Sequence, residues 1–152
     1  MHVFNVVLQV TMVVGLLLIL FLLIMPTIKG FQNNSETVES KSVLEIADSL
    51  AHSQRITIVR ANMLLAQSTA VFVEVVAVGK GVALLFRDSP LKYEIQSLMD
   101  KGVVFTVCQR SLRKIEQKLA HSVAVLPGVH MVADGHRYAE ELKERGYLDE
   151  FA

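Results

Sequence analysis

The chain has 152 residues, 52% of them hydrophobic and 20% charged, with 15 basic and 15 acidic side chains and a formal net charge of zero. That balance supplies no global field for nucleic acid or an anionic surface. A single cysteine excludes an intramolecular disulfide and a Cys-based zinc site, so any thiol chemistry uses Cys108 alone or with a partner's thiol.

The high apolar fraction has a local origin. No charged side chain occurs from Val3 to Ile28, and Lys29 is the first. Such a run is long enough to cross a bilayer as a helix, for which roughly 20 residues suffice. Pro26 stands where that helix should stop. Residues 3–28 are therefore predicted to be an uncleaved transmembrane anchor. A cleaved signal sequence is the alternative, although a basic n-region and small residues before a cut are missing. Residues 29–42 are polar and read as a tether, leaving 43–152 as the folded domain. The expected location is a membrane, as a single-pass protein of the bacterial inner membrane. Lys29 and Lys41 share their flank with Glu36 and Glu39, so the positive-inside rule leaves the side of the domain open.

Beyond the tether, apolar runs alternate with helical periodicity. Val43–Asp48 reads as a first strand. Ser53–Gln67 reads as a helix whose inward stripe is Ile56, Val59, Met63 and Leu64, with Arg55 and Arg60 off it. Val71–Gly79 is a nearly continuous β-branched run, as suits a strand buried on both faces. Glu74 interrupts it and implies an exposed edge or a charge paired at a subunit contact. Leu91–Met99 is a helix with Leu91, Ile95 and Leu98 on one face. Val103–Cys108 is a second buried strand, Ser111–Leu119 a helix, Val129–Asp134 a third buried strand, and His136–Gly146 a closing helix. Repeated strand–helix order predicts an α/β fold with a mostly parallel sheet covered on both faces.

In such sheets the ligand crevice lies beyond the carboxyl ends of the strands. The residues expected there are Gly79-Lys80-Gly81, Cys108-Gln109-Arg110 and Asp134-Gly135-His136. Cys108 precedes a helix, and Arg110, Arg113 and Lys114 follow with no acidic residue before Glu116, a field that favours a thiolate. Against that, free cysteines are commonly just packed. Gly79-Lys80-Gly81 could hold an anion on its backbone N–H groups, but it lacks a Walker pattern, and a plain strand-to-helix turn is the default. His121, His130 and His136 show no metal-ligand spacing, so neither a metal nor a cofactor is expected. His136 could serve Cys108 as a base, which would be the arrangement of a cysteine hydrolase.

The pieces VEVVAVGKGVALL, LKYEIQSLMDKGVVFTVCQRSL, LPGVHMVADG and ERGY, in that order, resemble the DsrE/DsrF-like (TusD-like) sulfur-relay family over roughly Val43 to Tyr147. Asn62 fits the family's asparagines in the preceding helix. The resemblance implies a flavodoxin-like three-layer sandwich that self-associates. It also implies a cysteine, here Cys108, that accepts sulfane sulfur as a persulfide and passes it to a partner thiol. Relatives often carry a histidine before the glycine turn, a proline within it and Gly-Asn after the cysteine. This chain has Val78, Lys80 and Gln109-Arg110 instead, and the membrane segment is foreign to the soluble relay subunits. The expected function is a membrane-tethered sulfur carrier or sulfurtransferase with Cys108 as the reacting group. Gly79, Lys80, Gly81, Arg110, Ser111 and His136 are expected around it. The expected partners are further copies of the chain and a thiol-bearing donor or acceptor protein, without nucleic acid. The rival expectation is a non-enzymatic, self-associating module at the membrane in which Cys108 is structural.

Overall fold

β-Branched runs and amphipathic segments alternate through the chain, and they form a parallel sheet flanked by helices. The structure, a computed structural model, describes residues 40–67 and 71–151. The predicted anchor, residues 3–28, and the tether up to residue 39 lie outside the described residues. Among the described residues no helix is long and apolar enough to cross a membrane.

The elements are β1 (Ser40–Ile46), α1 (Ala51–Gln67), β2 (Val71–Ala77), a 3₁₀ segment (Gly79–Leu85), α2 (Lys92–Asp100), β3 (Val104–Cys108), α3 (Gln109–Leu119), β4 (His130–Val132), α4 (Gly135–Glu144) and β5 (Leu148–Asp149). All strand pairs are parallel, in the order β4-β3-β2-β1-β5. The layers are those of a flavodoxin-like α/β sandwich, while the flavodoxin strand order itself is 2-1-3-4-5. β1 starts at Ser40, so the end of the predicted tether is strand.

Strand order dictates where the helices lie. The steps β1→β2→β3→β4 each move one place in the same direction, so right-handed crossovers put α1, α2 and α3 on one face. The return from β4 to β5 runs the other way and puts α4 on the opposite face. Packing follows that division. Ile58, Ala61 and Leu64 of α1, Ile95 and Leu98 of α2, and Ile115 of α3 join Leu44, Val75 and Phe105 in the larger core. Ala139 and Leu142 of α4, with Tyr138, join Val43, Val76, Val78 and Cys108 in a smaller one.

Three expectations are corrected. On α1, Ile56, Val59 and Met63 are 43, 51 and 48% exposed, and the inward face is Gln54, Thr57, Ile58, Ala61 and Leu64. Ala61 and Thr57 are small enough to let the helix axis approach the sheet, and Thr57 satisfies its buried hydroxyl on the Ser53 carbonyl at 3.0 Å. β4 is a short edge strand with His130 and Met131 exposed, not a buried one. Glu74 lies on β2, the middle strand of the sheet, and is 5% exposed. It is neither on an edge nor in need of a subunit partner: the Thr106 hydroxyl donates to Glu74 Oε1 at 2.6 Å, and the Tyr138 hydroxyl from α4 is its other partner.

Candidate functional site

Successive crossovers change face between β3 and β4. The chain leaves β3 for α3 on one face and leaves the adjacent β4 for α4 on the other. A crevice opens between carboxyl ends of strands where such a reversal occurs. Cys108 is the last residue of β3, in register with Val132 of β4. The sequence therefore brings its only cysteine to the switch point of the sheet.

α3 begins at Gln109, two residues before the predicted start, which makes Cys108 its N-cap residue. Gly135 opens α4 on the other side of the crevice. A Cβ at Gly135 would lie 2.8 Å from Cys108 Cβ and 2.5 Å from Val78 Cγ1, so only glycine lets the amino end of α4 come this close. Two helix amino ends, both electropositive, thus face one sulfur. Burial pushes the Cys108 thiol up, since the residue is only 3% exposed. The Ser111 hydroxyl and the N–H groups of Gly135, Ser111 and Arg110 outweigh it and leave the pKa below the ordinary thiol value.

Ser111 has two tasks. Its Oγ accepts the Gly79 N–H at 2.9 Å, which leaves its own hydrogen for the sulfur. The Lys80 and Gly81 amides donate to the Ala47 carbonyl at 3.0 and 3.1 Å. All three amides of the turn are therefore engaged, and it offers no backbone nest to an anion, contrary to one sequence reading. Gly81 is buried away from the crevice. A Cβ there would meet the Ile46 carbonyl oxygen at 2.2 Å, so its role is close packing against the end of β1.

A cleft of about 320 Å³ opens over the thiol. Gly79, Lys80, Arg110, Ser111 and His136 from the sequence-predicted set line it together with Cys108, and Gly81 does not. Arg110 is not a free cation beside the sulfur, because its Nη1 pairs with Asp134 Oδ2 at 2.7 Å. Arg113 Nη2 donates to Gln109 Oε1 at 3.1 Å. The depressed thiol thus owes its pKa to a hydroxyl and backbone dipoles, not to the arginines that suggested it. His136 Nδ1 lies 2.6 Å from Glu45 Oε1, at the end of β1. Asn62 is exposed and accepts from Lys101 Nζ at 3.4 Å, remote from the cleft lining.

Sequence reasoning missed Glu45 and Lys118, and it named Lys114 only as part of the basic field after the thiol. Extending the strand-end rule to β1 would have found Glu45. Lys114 and Lys118 follow Arg110 at four-residue intervals, and once α3 starts at Gln109 that spacing puts all three on one side of the helix.

No family model matches the chain, and no curated protein does. Among solved structures it is similar to a protein of unknown function, MTH1491, from Methanobacterium thermoautotrophicum. The identity is 26% over 72% of this chain and 96% of that one, with a TM-score of 0.66. The similarity supports the α/β fold with its parallel sheet.

Proposed function

We propose that the domain is a DsrE-like sulfur carrier in which Cys108 takes up sulfane sulfur as a persulfide and hands it to a partner thiol. The observation that carries this reading is the placement of the chain's only thiol at the switch point of the sheet, with its pKa lowered by Ser111 and two helix amino ends. The chemistry asks for little more. The Cys108 thiolate attacks the donor's outer sulfur, the donor S–S bond breaks, and the donor departs with the electron pair. An acceptor thiolate then attacks the outer sulfur of the persulfide and restores the Cys108 thiolate. No metal, triad or external oxidant enters. Self-association and an N-terminal membrane tether are part of the same proposal. Intact mass of the full chain after exposure to polysulfide tests it: wild type should gain sulfur that Cys108→Ser does not, and equal masses would sink it.

The second reading, a binding module with a structural cysteine, is favoured by one observation. Cys108 is nearly fully buried and packs with Val43, Val76, Val78 and Ala139. Native thiol labelling separates the two, since a structural cysteine would label only after denaturation.

A further inference from the structure

We infer that the molecule delivering sulfur to Cys108 is a small anion, a sulfane donor of the thiosulfate class. This rests on the sulfur-carrier reading of the same site. The cleft over the thiol carries Lys80 from the turn and Lys114 and Lys118 from successive turns of α3. Four helical residues rise about 6 Å, so the two α3 lysines stand about one turn apart along the cleft that Cys108 also lines. Among the described residues none of the three makes an ion pair. The one carboxylate in the cleft lining, Asp134, is committed to Arg110 at 2.7 Å. The turn's amides are spent within the fold, so selection by charge falls to these side chains.

The chemistry explains why cations are needed. A thiolate attacking a dianion brings like charges together, and unpaired lysines at the cleft offset that repulsion and attract the ligand beforehand. In the step itself the Cys108 thiolate attacks the outer sulfur of thiosulfate. The donor S–S bond breaks, sulfite leaves with the electron pair beside the lysines, and the sulfane sulfur stays on Cys108 as the persulfide anion. Electrons and atoms balance without a further reactant.

Iodoacetate and iodoacetamide differ in charge and hardly in size, and the full chain offers them a single cysteine. Alkylation rates are measured on wild type, Lys114→Gln/Lys118→Gln and Lys80→Gln/Lys114→Gln/Lys118→Gln, with Arg55→Gln as a distant control. The iodoacetate-to-iodoacetamide ratio should fall about tenfold in the double variant and further in the triple, and should fall with added salt in wild type. The neutral reagent reports any change in the thiol itself. A ratio unchanged in the triple variant, or no alkylation of native protein by either reagent, overturns the inference. Thiosulfate loading, read by intact mass, separates the two layers. If the ratio collapses as expected but neither thiosulfate nor polysulfide adds sulfur, anion selection stands and the sulfur-carrier reading falls.

Discussion

The two faces of the sheet are built differently. One is covered by α1, α2 and α3 over a continuous apolar core that includes Leu44, Val75, Leu84, Ile95 and Phe105. The other is covered by α4 alone, and its buried residues include a carboxyl group, a threonine and the thiol, namely Glu74, Thr106 and Cys108. The difference follows from one topological fact, the reversal of direction between β4 and β5. Most of the buried apolar bulk therefore lies on one face, and the buried carboxyl, threonine and thiol lie on the other. The crowded face stabilises the fold by burial, while the sparse face holds polar groups that only α4 completes.

The largest effect should come from the crowded face. Phe105, fully buried there, should cost about 3–5 kcal/mol when cut to alanine, measured by chemical denaturation. If the comparison holds, the remaining folded protein keeps its native Cys108 alkylation rate. On the sparse face, Tyr138→Phe removes one partner of Glu74 and should cost about 1–3 kcal/mol. Because Tyr138 lies on the helix whose first amide faces Cys108, that variant should also slow alkylation. Loss of stability with an unchanged rate would mean that Glu74 anchors α4 without positioning Gly135.

Gly135→Ala sharpens the same point. Its Cβ overlaps Cys108 and Val78, and overpacking of this kind costs about 1–3 kcal/mol. The amino end of α4 must back away, so the thiol pKa should rise and the pH profile of alkylation should move to higher pH. Ser111→Ala should move it the same way, with about 1 kcal/mol of stability lost with the Gly79 contact. Linkage fixes the sign for wild type. A thiol whose folded pKa lies below its unfolded one adds stability that is fully present above the unfolded pKa, and that is lost as pH falls through the folded one. Cys108→Ser should lack that alkaline gain. The smallest effect belongs to the outer side of α1, where Ile56→Ser, Val59→Ser or Met63→Ser should each stay within about 0.5 kcal/mol of wild type.

That last prediction marks where the sequence was legible and where it was not. The β-branched runs of β2 and β3 and the Leu91–Ile95–Leu98 stripe announced themselves, because one period dominates each. α1 carries apolar residues around most of its circumference, so periodicity could not choose a face. The sheet chose Ala61 and Thr57, which fit close to it, over the larger Ile56 and Met63. Glu74 looked like an edge because its partners, Thr106 and Tyr138, lie 32 and 64 positions away in the chain. At the site, the strand-end rule brought Lys80, Cys108, Arg110 and His136 together. It could not show that Asp134 occupies Arg110, or that Glu45 faces His136. Pairing of that kind depends on side-chain reach across the crevice.

The proposed sulfur carrier needs Cys108 to be a reactive thiol, its pKa lowered at the switch point by Ser111 and two helix amino ends. Its most direct test is the pH dependence of iodoacetamide alkylation of the native full chain, followed by intact mass and compared with the denatured chain. The expected result is a single modification in the native state, with its midpoint below that of the denatured chain. Alkylation only after denaturation, or a native midpoint at or above the denatured one, would contradict it.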